Sequence, residues 1–465
     1  MAGDSIIEGF WLPGLDRSEV DFEESCFGPG EQPLRLPILT PRSLEGLLDH
    51  LQEARAGALA DRPLAMILDS IERACRLLTE PGGPYYEELV AVLPKLTGYS
   101  EPMIRIGLER MARGWTASAL HAALAEEFGV PEVLDDFQRR AAGGYHRAYG
   151  PSLVVHIFSG NIPGVSVSSV IRALCVKSAS LGKTAAGEPY FAVSFARALC
   201  EVDPDLASCV SVTYWRGGEE QLEAVAFARA AAVIAYGSDA TIRDVRRRLT
   251  PGARFLAYPN RVGAALIPRE TLDRASELAR QAARDVVTFD QQGCVSPHVV
   301  FVERGGEVDG AAFAELLAAT LGDLADVVPR GAITPAESST IHQLRAQAEV
   351  RGARVWASEG GTAWTVVYED RPTFEFSPLN RAVHVRSVDS ISEAIAALAP
   401  VSSRLQTVAV AGEEEIVMRL ARQLGKLGVT RVALLGEAGW PAPHWHHDGR
   451  FQFLDLVRFT DVEIS

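Results

Sequence analysis

"LVVHIFSGNIPGVSVSSVIRALCVK", residues 153–177, is the stretch whose reading decides the fold. A short apolar run, "LVVHIF", ends in "SGNIPG", a turn-prone segment. The apolar spacing then changes from strand-like to helical in "VSSVIRALCVK". The same alternation continues downstream. "FAVSFARALCEV" reads as a helix, "CVSVTYW" as a strand, "EEQLEAVAFARA" as a helix, "AAVIAYGS" as a strand and "ATIRDVRRRL" as a helix. Strands alternating with helices of this length imply parallel strands joined by crossovers, a doubly wound α/β sheet. Ligands bind at the carboxyl ends of such strands.

A second α/β series begins near Arg261. "VGAALIP" reads as a strand, and "RETLDRASELARQAARDVV" as a long helix. "TFDQQGCVSP" (288–297) follows, then the strand "HVVFVE" and further elements through "ARVWAS", "TAWTVVYE", "AVHVRSV" and "TVAVAG". Upstream, residues 42 to about 140 carry amphipathic helical patterns such as "SLEGLLDHLQEARAGAL" and "LAMILDSIERACRLL", punctuated by "EPGGPYY" and "TGYSEP". The expected organisation is a helical N-terminal region (1–140) on the cofactor-domain side, a Rossmann-like domain (141–260), a second α/β domain (261–436) and a C-terminal segment (437–465).

Composition bounds the function. The 465 residues are 47% hydrophobic and 23% charged, with a formal net charge of −15. These are the values of a globular chain of more than one domain. The acidic balance disfavours nucleic acid and anionic membranes as partners. Cys26, Cys75, Cys175, Cys200, Cys209 and Cys294 form no CxxC pair, a reduced intracellular pattern. "MAGDSIIEGFW" lacks the basic-then-apolar layout of a secretory leader, and "SLVVHIFSGNIPGVSVSSVI" is too polar for a membrane span, so a cytoplasmic location is expected.

Four stretches carry candidate chemistry. Cys294 follows Gly293 in a turn-prone segment. It is either a small buried hydrophobe or a nucleophile toward a carbonyl carbon, with backbone N–H groups nearby to hold an oxyanion. Asn161 would stand at the carboxyl edge of the sheet, as a helix cap or as an oxyanion donor. Lys183 and Thr184 in "SLGKTAAGEP", and Gly237 and Ser238 in "IAYGSDATIRDV", end strand-like runs where phosphates or ribose hydroxyls bind, although neither is a GxGxxG or Walker loop. "HWHHDGR" groups His444, His446 and His447 without a nearby cysteine, and no metal site is expected there.

In this order, "GNxP", "KTAAGEP", "YGS", "QQGCVSP" and "FEFSPLNR" resemble the aldehyde dehydrogenase superfamily. They are closest to its LuxC-type acyl-CoA reductases, the fatty-acid reductases of bacterial bioluminescence. "LTGYSEPMI", "GVTRVALLGEAGW" and "HHDGRFQFLDLVRFTDVE" extend the similarity over about residues 96–465. The resemblance implies an aldehyde dehydrogenase-like α/β fold and a set of roles. Cys294 would be the nucleophile. Asn161 and the Cys294 N–H would hold the oxyanion. Lys183 and Thr184 would meet the adenosine ribose or its 2′-phosphate, and Gly237 with Ser238 the pyrophosphate. Glu375 and Phe376 would lie near the nicotinamide ribose, although the superfamily's Glu and Phe stand one residue apart and here they are adjacent.

Two departures bear on the reaction. Aldehyde-oxidising members carry a glutamate base shortly before the cysteine, and the corresponding "FLAYPNRVGAALI" has no carboxylate. A thioester-to-aldehyde reductase needs no activated water. NAD-preferring members often place an acidic residue soon after the lysine, where this chain has Ala185 and Ala186, so NADPH is admissible and NADH possible. The resemblance therefore implies NADPH-dependent reduction of an acyl-CoA or acyl-protein thioester, fatty acyl by similarity, through acyl-Cys294. An acyl-protein synthetase partner and a homo-oligomer using the C-terminal tail go with it. The alternatives are the oxidative, CoA-acylating direction and a non-catalytic partner that keeps the fold.

Overall fold

Leu153–Ile157 forms a strand buried along its whole length, and Val165–Cys175 forms the helix that follows. The computed structural model describes residues 6–18 and 20–464; Met1–Ser5, part of the stretch read for a leader, lie outside the described residues. Along the strand, Val154 faces one core with Val167, Val170 and Phe195. Leu153, Val155 and Ile157 face another with Leu48, Leu222 and Ile242. This period of two, apolar on both sides, is what a strand covered by helices on both faces requires.

Five parallel strands make this sheet, in the order Arg254–Pro259, Ala232–Gly237, Leu153–Ile157, Ala179–Lys183, Val210–Thr213. The order reverses between Leu153–Ile157 and Ala232–Gly237, the switch point where a crevice opens at the carboxyl ends of the strands. Ile157 stands opposite both Lys183 and Ala235, so these carboxyl ends lie level.

A second sheet of seven strands runs Arg354–Ala357, Thr365–Glu369, Ala382–Val388, Pro297–Glu303, Val262–Ile267, Leu405–Val410, Arg431–Leu434. Its pairings are parallel except for the antiparallel edge strand Arg354–Ala357. The stretch 255–267 belongs to both sheets. Arg254–Pro259 closes the first, Val262–Ile267 sits inside the second, and the chain crosses at Asn260–Arg261.

The N-terminal region is helical from Pro41 to Phe128, and Leu44, Leu47, Leu48 and Leu51 join the core of the first sheet. It is not helical throughout. Phe22–Phe27 and Gln32–Pro37 form an antiparallel pair around Gly28, whose φ is 70° and whose Cβ would run into the Leu96 carbonyl. Trp11 bridges to Val212 and covers the outer edge of the first sheet. The C-terminal strand Arg458–Val462 pairs antiparallel with Tyr145–Tyr149 of the same chain. Among the described residues no helix is long and apolar enough to cross a membrane.

Candidate active site

The segment that carries the thiol is bent unusually hard. Phe289, Asp290 and Gln291 all adopt left-handed backbone conformations, at φ 46°, 49° and 68°. Each costs about 1–3 kcal/mol for a residue other than glycine, so something must hold the bend. Leu379, Asn380 and Arg381 form a second left-handed run, at φ 63°, 55° and 63°. The two bends are tied together. The buried Arg381 guanidinium donates to Asp290 at 2.7 Å and to the Val328 carbonyl at 2.7 Å, and Gln292 Nε2 donates to Asn380 Oδ1 at 2.9 Å. Gly331 N–H satisfies the other Asp290 oxygen at 2.9 Å.

Beyond the bend, Cys294 opens into a cavity of about 150 Å³ between the two sheets. Asn161, Gly237, Tyr258 and His447 share its lining. Asn161 Nδ2 donates to the Gln292 carbonyl at 3.0 Å, and its own carbonyl accepts the Tyr99 hydroxyl at 2.5 Å. The side-chain amide therefore keeps one N–H for a ligand beside Cys294. Gly160 fits here because a Cβ would meet the Gly187 Cα at 2.8 Å, which keeps this loop against "GEP". Burial, reinforced by the nearby Asp448 carboxylate, pushes the Cys294 thiol up to about 12, although Arg431 and Arg261 pull it down. At neutral pH the resting residue is a thiol.

The candidate cofactor residues stand at strand ends beside the switch point. Lys183 ends its strand, and among the described residues its ammonium makes no hydrogen bond or ion pair. Burial holds its pKa below the ordinary value, with Glu223 acting in the opposite sense. Gly237 ends the neighbouring strand, and Ser238 caps the Asp239–Arg248 helix by accepting from Thr241 N–H at 3.2 Å. Thr184 is not brought to this crevice, since it is buried and its hydroxyl donates to the Thr213 carbonyl at 3.2 Å. Glu188, five residues after Lys183, also turns inward, accepting from Tyr190 and Phe191 N–H at 2.8 and 2.7 Å. No carboxylate of "KTAAGE" faces the place where a ribose would lie.

Comparison with known proteins decides the family. The model of the family described as acyl-CoA reductase (LuxC) matches residues 59–459. The chain belongs to the LuxC family. A long-chain acyl-protein thioester reductase of Aliivibrio fischeri is 27% identical over 82% of this chain and 77% of its own. One of Photobacterium leiognathi is 24% identical over 80% and 76%. Among solved structures, an aldehyde dehydrogenase of Pseudomonas syringae in complex with NAD+ and octanal superposes with a TM-score of 0.72 at 15% identity, over 98% of this chain and 96% of that one. The fold is that of the aldehyde dehydrogenases, and the LuxC protein is an oxidoreductase.

Within this LuxC chain, Glu375 and Phe376 stand apart from the cavity around Cys294. The Glu375 carboxylate accepts from Arg371 at 2.9 Å and Arg386 at 3.0 Å, in a cluster completed by Arg351 and Glu369. Phe376 is about half exposed and packs edge-on against Phe374. Sequence reading set aside the residues that complete the cavity. His447 was weighed only as a metal ligand, and among the described residues no group of three His, Cys, Asp or Glu is arranged to hold a metal ion. The signal was the "DG" that follows His447: Asp448 at φ 54° and Gly449 at φ 73° make a tight turn of the type that Asp-Gly favours.

Two predictions follow from these anchors. Arg381→Met leaves Asp290 buried without its partner and is expected to cost about 3–5 kcal/mol in urea unfolding. Adding Asp290→Asn should recover part of that loss. The second concerns Asp285, which accepts Gly436 and Ala438 N–H at 2.8 Å each and whose carboxyl is pushed by burial up to about 7 from an ordinary 3.8. Folding takes up a proton between those values. This group's contribution to stability is complete below about pH 4 and is lost as pH rises through about 7. Thermal melts from pH 4 to 8 should show a flatter profile for Asp285→Asn.

Proposed function

We propose that the protein reduces an acyl thioester, acyl-CoA or acyl-protein, to the free aldehyde through an acyl-Cys294 intermediate, with NADPH as reductant. The observation that carries this reading is a thiol and an amide donor in a cavity whose lining, among the described residues, contains no Asp or Glu. Asp448 lies close, but both its oxygens are engaged, by Arg261 and Gln406. A water there has no carboxylate base, so an acyl-enzyme would survive long enough to be reduced.

The residues present fit a nicotinamide dinucleotide. Lys183 offers a partly desolvated ammonium, unpaired among the described residues, which an anion such as a 2′-phosphate would satisfy. Gly237 and Ser238 open a helix N-terminus, where a pyrophosphate is favoured. When bound, such a cofactor supplies the hydride.

The chain's own groups do the rest. The Cys294 sulfur attacks the thioester carbonyl, and the donor thiol leaves carrying the proton that Cys294 gives up. The second Asn161 N–H and the Cys294 backbone N–H hold the oxyanion at each tetrahedral stage. When the aldehyde departs, the Cys294 thiolate regains a proton and the cycle closes. The acyl chain has a place to lie. A second cavity of about 360 Å³ shares Ile162, Val165, Phe289 and Trp445 with the first and runs on between Trp115 and Phe453. That apolar lining suits a fatty acyl chain, the substrate class in the names of the bacterial relatives. Phe158 and Trp364 line neither cavity. An acyl-protein synthetase as donor and a homo-oligomer are part of the same reading, by family similarity.

The test is cofactor oxidation with acyl-CoAs of graded chain length. Cys294→Ala should abolish aldehyde formation, and turnover surviving it would overturn the covalent route. Asn161→Ala should lower kcat about 10²–10³-fold. Lys183→Met should raise KM for NADPH about 10-fold or more while leaving KM for NADH nearly unchanged, the size of a lost charge-assisted hydrogen bond.

A further inference from the structure

A buried thiol needs somewhere to put its proton, and among the described residues no carboxylate lines its cavity. An imidazole does, beside the phenols of Tyr236 and Tyr258. His447 lines both the cavity of Cys294 and the apolar channel that joins it. Cys294 lines the same cavity of about 150 Å³, so the imidazole and the thiol open onto one small space.

The imidazole is held on both faces and free at its edge. Tyr258 lies over one face at 4.2 Å between centroids and 20° between planes, and Trp445 lies over the other at 4.6 Å and 25°. The stack continues from Tyr258 to Tyr236 at 4.9 Å, and Arg431 caps Trp445 at 5.6 Å. Among the described residues neither ring nitrogen of His447 makes a hydrogen bond. Its backbone is fixed by the Asp-Gly turn, whose Asp448 carboxylate accepts from Arg261 Nε at 3.0 Å and from Gln406. A ring clamped on both faces, with unengaged nitrogens, beside a thiol is oriented for proton transfer rather than for structure alone.

We infer that His447 is the proton carrier of acyl transfer: it takes the Cys294 proton as sulfur attacks and delivers it to the departing thiolate. The inference rests on the acyl-Cys294 reading. The balance is internal. The S–H bond of Cys294 breaks, a carbon–sulfur bond to Cys294 forms, the donor's carbon–sulfur bond breaks, and the proton ends on the donor thiol. His447 finishes neutral. Burial together with Arg172 and Arg261 keeps the imidazole uncharged at rest, which is the state a base requires. Thiolate and imidazolium are each disfavoured alone in this site, and as an adjacent pair each stabilises the other. The other groups facing the ring are Tyr236 and Tyr258, the Asp448 carboxylate and, through Trp445, Arg431.

The test separates transfer from reduction. Full-length protein is mixed with acyl-CoA without reductant, and release of free CoA thiol is followed in a single turnover. His447→Gln should slow acylation about 10²-fold or more, the usual contribution of a general base. His447→Phe keeps the aromatic stack, melts like the wild type and should be slowed at least as much. His446→Gln, on an exposed ring packed edge-on against Phe451, should acylate normally. The pH profile of iodoacetamide labelling of Cys294 should lose its imidazole-dependent limb in His447→Gln. Wild-type rates in His447→Phe would overturn the role of the ring nitrogens. Absence of acylation in the wild type would instead overturn the acyl-enzyme reading itself.

Discussion

One buried ion pair, Arg381 with Asp290, bears the strain on which the site depends. Six residues in two loops sit in left-handed backbone conformations that none of them favours. The pair joins the loops at their bends. Burying a guanidinium and a carboxylate is expensive, and the expense is met only when nearly every donor and acceptor is satisfied. Here the Val328 and Pro329 carbonyls accept from the two terminal guanidinium nitrogens, and Gly331 N–H donates to the second carboxylate oxygen. The result is a rigid bend that ends at Gln292, one residue before the Gly293–Cys294 turn. That rigidity aims a thiol and a backbone N–H at one point, and a preorganised donor is worth far more to a transition state than a mobile one.

The second constraint is low polarity. The cavity forms where a five-stranded parallel sheet, a seven-stranded sheet and the returning C-terminal segment meet, and aromatic rings fill much of its wall. Low polarity raises the cost of every isolated charge, so the thiol rests protonated. The same low polarity strengthens any pair of opposite charges that forms during the reaction. Among the described residues the wall carries no Asp or Glu, so a water there finds no carboxylate base.

Much of this was legible in the sequence, because parallel α/β units leave a strong imprint. The apolar run at 153–157, the turn at "SGNIPG" and the helix at 165–175 all formed where their periodicity placed them. Cys294 and Asn161 line one cavity, Asn161 from the turn after the strand Leu153–Ile157 and Cys294 from the turn before the strand Pro297–Glu303, and among the described residues the Lys183 ammonium has no partner. Other residues misled. Thr184 follows Lys183, but strand alternation turns it inward. Glu375 sits in a motif resembling a ribose-binding one, yet three arginines that are distant or unremarkable in sequence claim its carboxylate. The small N-terminal sheet was hidden behind the helical texture of the residues after Pro41, although "GPG" between alternating runs signals a hairpin.

The sequence by itself determined the alternation of strands and helices, the family, and the identity of the thiol and amide. Those depend on periodicity and on short ordered motifs, which are local along the chain. Only the tertiary structure decided that His447, more than 150 residues from Cys294, lies on the wall of the same cavity. It alone decided that Arg381 supports the bend before the thiol, and that Glu375 belongs to an arginine cluster. These are meetings of side chains from distant segments, set by how two sheets and a folded-back tail pack together. No spacing along the chain encodes such packing.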